Sequence, residues 1–209
     1  MKKTLVPGLS ITYREVAKTI NFGLIYGMSA KSLARTLKCS LEQAEKLLAA
    51  YFKLYPGVTR WLEETKRLTL SQMKSRTRSG RIRKYQLHQA PSRLMPGASK
   101  EEYDNWREAN ALYQVQRARV ERQGMNTPIQ GTSADITKLA LALFNEQRRL
   151  DWKLVVVVHD ELVVEAPEKD VDQASALLSE CMLAACKEYL HHVSVPEIDV
   201  VASDHWQKE

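Results

Sequence analysis

The sequence predicts an α+β fold, with a helical, basic first half followed by a small antiparallel sheet and packed helices. Three observations predict it. Stretches of helical composition, with signals at their starts and ends, fill most of residues 14–119. Two apolar, β-branched runs, residues 154–158 and 162–165, flank a short polar segment, as in a β-hairpin. Residues 170–189 then place apolar side chains on one face of a predicted helix.

Five helices are predicted before residue 127. Ser40, with Gln43 three residues later, forms a capping box that starts the third helix. Pro56-Gly57 separates the third helix from the fourth. Residues 76–99 are predicted to be a basic loop, because two glycines and two prolines interrupt them. The predicted helices cover residues 14–27, 29–37, 40–54, 58–75 and 101–119.

The second half is predicted to contain one hairpin, two helices and a last strand. Thr127-Pro128 opens a helix with apolar residues at core spacing. The hairpin follows, with the charged segment His159-Asp160-Glu161 at its tip. A helix over residues 170–189 and a strand over residues 196–202 complete the predicted elements.

The composition is that of a soluble globular protein in a reducing, cytoplasmic setting. Of the 209 residues, 44% are hydrophobic and 27% are charged. No apolar run approaches the roughly 18 residues that a membrane span needs. Three cysteines, two of them five residues apart in a helical pattern, suit neither a disulfide framework nor a zinc site.

The charge is distributed unevenly along the chain. Residues 1–158 hold 28 basic and 13 acidic side chains, a net charge of +15, whereas residues 159–209 hold 3 basic and 12 acidic ones, a net charge of −9. Residues 66–93 contain nine basic residues and no acidic one. This pattern favours a polyanionic partner for the first part of the chain. The alternative is a solvated basic face.

Arg14, Lys18, Phe22 and Tyr26 form the first candidate site. Their spacing of four places them along one ridge of a helix, and Gly27 follows directly. Two cations followed by two rings suit a nucleoside triphosphate, with phosphates at the cations, the sugar at Phe22 and a base at Tyr26. In the alternative interpretation, the two rings belong to the core and the cations are merely solvated.

The hairpin tip His159-Asp160-Glu161 is the second candidate site. Two adjacent carboxylates on a tight turn repel each other unless a cation lies nearby. Mg²⁺ suits them, because it takes few protein carboxylates and completes its coordination with substrate phosphates and water. The alternative is an ordinary polar turn.

Arg122, Asn126 and Gln130 form the third candidate site, again at a spacing of four. Amide and guanidinium groups suit the acceptors of a nucleic-acid minor groove, which differ little with base sequence. The alternative is the ordinary polarity of a helix start.

Three motifs together resemble the family A DNA polymerases, the bacterial DNA polymerase I type. Residues 14–27 carry Arg, Lys, Asn-Phe-Gly and Tyr-Gly at the fixed positions of motif B. Residues 121–135 resemble the segment before the palm hairpin, residues 157–161 resemble motif C, and residues 203–206 resemble the C-terminal end. Single-subunit RNA polymerases share this outline, but the Asn-Phe-Gly triplet and the motif C glutamate favour the DNA enzymes.

The resemblance implies helical fingers followed by part of a palm. The fingers-like region would cover residues 1–120 and include the basic loop, and the partial palm would cover residues 121–209 and carry the motif C hairpin. The connection from Arg83 to Glu121 is longer than the family pattern. Residues 94–120 are therefore interpreted as an insertion of unknown role.

The resemblance also implies template-directed transfer of a deoxynucleotidyl group to a primer 3′-hydroxyl by two-metal catalysis. Asp160 would be a ligand of Mg²⁺, or of Mn²⁺ as the alternative ion, and Glu161 would lie near the primer terminus. Arg14 and Lys18 would neutralise the triphosphate, with Lys18 as proton donor to the leaving pyrophosphate. These four residues are the predicted catalytic residues.

The binding residues implied by the resemblance fall into two groups. The dNTP site would consist of Arg14, Lys18, Phe22 and Tyr26. The primer–template would meet the minor-groove residues, the residues beside the templating base, the hairpin tip and the basic run. The predicted DNA-binding residues are Tyr26, Gly27, Arg122, Asn126, Gln130, His159, Arg81 and Arg83.

One family motif has no counterpart in this sequence. Motif A, an Asp-Tyr-Ser-type strand with a metal-binding aspartate, precedes motif B in the family, but none of the 13 residues before Arg14 is acidic. We therefore expect a split-enzyme subunit or a fragment whose partner chain supplies motif A and the thumb, with a role in DNA replication or repair. The alternatives are a non-catalytic polymerase remnant that binds DNA or acts as an accessory module, and a nucleic-acid-binding domain unrelated to polymerases.

Overall fold

The computed structural model describes residues 6, 12–25, 27–194 and 198–206. It contains seven α-helices and two two-stranded antiparallel sheets among these residues. The helices are Tyr13–Ile25 (α1), Ala30–Leu37 (α2), Leu41–Leu54 (α3), Pro56–Gln72 (α4), Lys100–Asn126 (α5), Thr132–Gln147 (α6) and Val171–Tyr189 (α7). The strands are Lys74–Arg76 (β1), Ile82–Lys84 (β2), Lys153–Val158 (β3) and Glu161–Glu165 (β4). The predicted α+β class is confirmed.

The chain divides into two compact units. The first contains residues 1–75 and 82–127, and the second contains residues 76–81 and 128–209. The predicted division into fingers-like residues 1–120 and palm-like residues 121–209 follows motifs rather than packing, and it stays a prediction.

The core of the first unit is built by α1 to α5. Buried side chains of α1 and α2 supply most of it, and each remaining helix adds one. Ala44 of α3 packs there with no exposed surface, at a position where a larger side chain would not fit. The buried residues of these helices are Val16, Ile20, Leu24, Leu33, Leu37, Ala44, Leu62 and Met125.

Local start and stop signals predicted the first helices well. The capping box is confirmed, since the Ser40 side chain accepts from the Gln43 N–H and the Gln43 side chain accepts from the Ser40 N–H. Pro56 does separate α3 from α4, but it does so as the first residue of α4. Proline fits there because its missing N–H has no partner in a first helical turn.

The predicted loop over residues 76–99 is wrong in its first part, where β1 and β2 form a hairpin. Each strand has three residues, too few for an alternating pattern to show in the sequence. The fourth predicted helix also ends early, because Met73 adopts a left-handed conformation with φ of 48°.

The predicted helix start at Thr127-Pro128 is also wrong. Residues Thr127–Gly131 form a π-helical segment that follows α5 directly. Thr127 is buried, and its hydroxyl donates to the Gln123 carbonyl at 2.8 Å rather than capping a new helix. A wider π-helical turn accommodates a proline that cannot donate a backbone hydrogen bond.

The second unit packs α6 and α7 against the β3–β4 hairpin. Phe144, Trp152, Ala174 and Cys181 form one buried cluster, and a second lies around Ala140, Leu162 and Ala185. The predicted hairpin and the predicted helix over residues 170–189 are therefore confirmed. Residues 196 and 197 of the predicted last strand lie outside the described residues, and residues 198–202 form no strand, so that part of the prediction is wrong.

No helix in the described part of the chain has the length and apolar character needed to cross a membrane.

We predict that Gly124→Ala strongly destabilises the first unit. A Cβ atom on Gly124 of α5 would lie 2.2 Å from the hydroxyl oxygen of Thr69 in α4, and Thr69 is only 1% exposed and cannot move aside. Overpacking of this kind costs about 1–3 kcal/mol. Gly57→Ala is the matched control, because a Cβ there has no neighbour within 4 Å and alanine favours the helix. Thermal melting should show a lower Tm for Gly124→Ala only, and equal Tm values would contradict this packing.

Candidate functional site

Helix α1 has one buried face and one exposed ridge. Val16, Ile20 and Leu24 are buried in the core of the first unit. Arg14 and Lys18 are exposed, as predicted for a spacing of four on the opposite side. Packing of this buried face holds α1 in place, and α1 in turn determines where the exposed side chains of the ridge lie.

Phe22 continues this ridge and does not belong to the core. Its side chain is 50% exposed, and the Lys18 ammonium lies 6.0 Å from its ring centroid. A cation at this distance from an aromatic face is attracted weakly. The core alternative therefore does not hold for Phe22, while its nucleotide contact stays a prediction. Tyr26, the next predicted residue, lies outside the described residues.

The chain needs glycine at position 27 for two reasons. Its φ of +69° is unfavourable for other residues, and a Cβ atom there would lie 2.7 Å from Cγ of Arg122. The structure thus brings the end of the first candidate site against the start of the third. No signal in the sequence predicted this contact, because the two residues are far apart along the chain.

The third candidate site spans the end of α5 and the π-helical segment, and its contact with DNA stays a prediction. Arg122 is exposed, Asn126 is half-buried and Gln130 is exposed. A π-helical segment follows Asn126, so Gln130 does not continue the α-helix that carries Arg122 and Asn126. The buried Oδ1 atom of Asn126 has no hydrogen-bond partner among the described residues. Such an atom is costly unless a further group satisfies it.

A strained two-residue turn forms the hairpin tip. Val158 pairs with Glu161, so His159 and Asp160 alone connect β3 to β4. His159 has a φ of 57°, a conformation that two-residue hairpin turns need and that is unfavourable for residues other than glycine. Strain of about 1–3 kcal/mol at a polar tip is typical of functional positions.

The carboxylates at this tip face solvent. Asp160 and Glu161 are both exposed, and the Trp206 indole N–H donates to Oε1 of Glu161 at 2.8 Å. The C-terminal segment therefore reaches the tip. The sequence pattern connected these two regions only through their shared resemblance to one family.

The donors at the tip fit a magnesium ion in type and in number. The described residues contain no group of three His, Cys, Asp or Glu side chains that could hold a metal ion by themselves. Mg²⁺ does not need such a group, because it binds through one or two carboxylates and keeps water or phosphate oxygens as its other ligands. Exposed carboxylate oxygens at this turn meet that requirement.

The basic run, residues 66–93, exposes most of its charged side chains. Of its nine basic residues, all but the half-buried Lys66 are exposed. Arg83 lies against the Tyr85 ring, with 5.7 Å between its guanidinium carbon and the ring centroid. Arg81 is different, since its Nε atom lies 2.5 Å from a carboxylate oxygen of the buried Asp135. Phosphate binding by Arg81 stays a prediction, and its internal partner is a residue that sequence reasoning missed.

The sequence model of DNA polymerase family A matches residues 5–208. The chain belongs to this family. The thermostable DNA polymerase I of Thermus aquaticus is 33% identical over 196 residues, which are 92% of this chain and 20% of that protein. DNA polymerase I of Aquifex aeolicus is 32% identical over 205 residues, 94% of this chain and 30% of that protein.

A solved structure shows the same fold. The POL domain of Pol1 from M. smegmatis, in complex with a DNA primer-template and a dNTP, aligns with a TM-score of 0.61 and 30% identity. The alignment covers 82% of this chain and 27% of that one. The chain thus spans between a fifth and a third of the length of these relatives.

Proposed function

We propose that the chain is the part of a family A DNA polymerase that binds the incoming nucleotide and the primer–template and supplies one metal-binding carboxylate. The observation that carries the proposal is the ridge of α1, where Arg14, Lys18 and Phe22 are exposed opposite a buried apolar face. The polymerase domain of M. smegmatis, of similar fold, was solved with the same two kinds of ligand.

The residues of the ridge bind and activate the nucleotide. Arg14 and Lys18 hold the triphosphate, and Phe22, with Tyr26, holds the sugar and base. Lys18 also donates a proton to the departing pyrophosphate, because a primary ammonium can give up a proton and a guanidinium cannot. The weak Lys18–Phe22 contact leaves this ammonium available to an anion.

The hairpin tip holds the divalent cation. Asp160 would be its ligand, and Mg²⁺ or Mn²⁺ bound there would supply charge neutralisation at the reacting phosphate, in a two-metal arrangement. Glu161, fixed by Trp206, lies beside that ligand and orients the primer terminus. Asp160 shares the two-residue turn with His159, whose φ is positive, and Glu161 follows as the first residue of β4.

Several elements supply the DNA contacts. Gly27 lies beside the templating base, and the Arg122 side chain packs against Gly27. Asn126 and Gln130 meet the minor groove, and His159 meets the primer end. Arg76, Arg78 and Arg83, all exposed, hold backbone phosphates, which carry no sequence information.

The second metal ligand comes from outside these 209 residues. The β3–β4 hairpin is a sheet of only two strands in the described part of the chain, and its outer face exposes Val155 (58%) and Val157 (43%). A sheet this small is rarely stable by itself. We propose that a segment carrying motif A completes it, either on a longer polypeptide that includes this chain or on a partner chain that also brings the thumb. The assembled enzyme would act in the cytoplasm, in replication or repair.

A non-catalytic DNA-binding remnant is the second candidate function. The basic run favours it, because eight exposed basic residues suit DNA binding with or without catalysis. The exposed ridge of α1 does not favour it, because Arg14, Lys18 and Phe22 together suit a nucleoside triphosphate rather than DNA alone.

We predict that the 209-residue chain binds primer–template DNA and does not extend it by itself. Release of counterions makes the affinity fall steeply with salt, with a slope of about 0.9 in log K for each phosphate contacted. Fluorescence anisotropy across a salt series measures the binding, and a primer-extension assay measures incorporation. Adding a motif A-bearing segment should restore extension. Extension by the chain alone would contradict the proposal, and binding without extension after such addition would favour the remnant.

A further inference from the structure

A tight turn connects β1 to β2 and carries several basic residues. Thr77 donates its N–H to the Arg81 carbonyl at 3.0 Å, and Gly80 donates its N–H to the Thr77 carbonyl at 3.0 Å. Gly80 has a φ of +91°, as the last position of a three-residue hairpin loop requires. Arg78 on this turn and Arg76, the last residue of β1, are both exposed.

The turn is fastened to the start of α6 within the second unit. The Ser79 hydroxyl donates to Oδ2 of Asp135 at 2.6 Å, and the Arg81 guanidinium forms an ion pair with Oδ1 of the same residue. Arg81 also donates to the Gly131 carbonyl at 3.0 Å, and the Arg78 N–H donates to the Thr132 hydroxyl at 3.0 Å. The loop of residues 78–81 therefore makes four contacts with the first turn of α6 and with Gly131, which precedes it.

Asp135 accepts two of these contacts, from Ser79 and Arg81, and is only 6% exposed. Burial raises its pKa, but hydrogen bonds from Ser79 and Thr77 and the Arg81 charge outweigh burial and lower it overall. The carboxylate is therefore charged at neutral pH and uses both oxygens for the turn. A charged group this deeply buried is stable only when it is paired and hydrogen-bonded.

We infer that Asp135 is a positioning residue that holds the turn of residues 76–81, so that Arg76 and Arg78 face one stretch of DNA backbone. This inference rests on the proposed function. The contacts of Asp135 with the turn are called the anchor below. Arg81 belongs to the anchor, because Asp135 balances its charge. The charges of Arg76 and Arg78 are available to bind phosphates.

The rate of cleavage by trypsin, measured without DNA, tests whether Asp135 holds the turn in place. Cleavage of a native protein reports how often a segment opens, when opening is fast. Asp135→Asn should speed cleavage after Arg76 and Arg78 by about tenfold or more, the effect of losing a hydrogen bond to a charged group. Cleavage after Lys53, in the other unit, should not change. Asp151→Asn is the matched control, since it removes an arginine ion pair that does not touch this turn.

The salt dependence of DNA binding tests the role of the anchor. Asp135→Asn and Arg81→Gln should each lower the slope of log K against log salt by about 1.8, which is 0.9 for each of two phosphates. The double variant should lose no more than either single one, because both remove the same pair. If Asp135→Asn does not fold, Ser79→Ala, at an exposed residue that donates to Asp135, gives the same measurements.

Faster cleavage confined to the turn, together with the lower slope, supports the inference. Faster cleavage throughout the chain, or local cleavage with an unchanged slope, overturns it, because Asp135 then has only a structural role. If the unaltered chain binds no DNA, the proposed function fails together with the DNA part of the inference. Unchanged cleavage beside normal DNA binding refutes the anchor alone.

Discussion

Asp160→Asn in the assembled polymerase, this chain together with the segment that carries motif A, should lower nucleotide incorporation by at least about a thousandfold. The amide keeps the shape of the side chain but loses the charge that holds the cation. Stabilisation by a metal ion in such reactions amounts to several kcal/mol, and each 1.36 kcal/mol is a factor of ten in rate. DNA affinity should change little, because Asp160 contributes no positive charge to a phosphate.

Glu165→Gln is the matched control for this prediction. It removes a carboxylate from the other end of the same hairpin, where Glu165 forms an exposed ion pair with Lys153 at 3.4 Å. Single-turnover extension and anisotropy measure rate and affinity separately. Activity near that of the unaltered enzyme in Asp160→Asn would show that the ligand lies elsewhere.

Lys18→Ala should lower the rate of the chemical step by about a hundredfold to ten-thousandfold, the usual contribution of a positioned acid. It should also weaken dNTP binding, because the same ammonium attracts the triphosphate. Lys18→Arg should restore much of the binding but little of the rate, since an arginine does not give up its proton. Pre-steady-state kinetics over a dNTP series measures both constants.

Lys53→Ala is the control for Lys18, as it removes an exposed lysine from another helix of the first unit. If Lys18→Arg restored the rate fully, Lys18 would act through its charge alone. If Lys18→Ala changed neither constant, the ridge of α1 would not be the dNTP site, and the remnant interpretation would gain support.

The features that the sequence determined are those set by neighbouring residues. The capping box at Ser40 fixes the start of α3, and the β-branched runs beside His159 fix the hairpin. The spacing of four in α1 correctly placed Lys18 and Phe22 on one ridge, because a helix with one buried face leaves little choice for the other. Each signal acts over a few residues and can be recognised without knowing how the rest of the chain folds.

Only the tertiary structure decided which distant residues meet. The Arg81 side chain reaches Gly131 across 50 positions of sequence, and Trp206 reaches Glu161 across 45. The close approach of Gly27 to Arg122 has the same origin. In the sequence, Arg81 cannot be distinguished from the other basic residues of the run. Only the fold shows that it pairs with the buried carboxylate of Asp135. Charge pairing and close packing depend on position in space, and composition and periodicity do not record it.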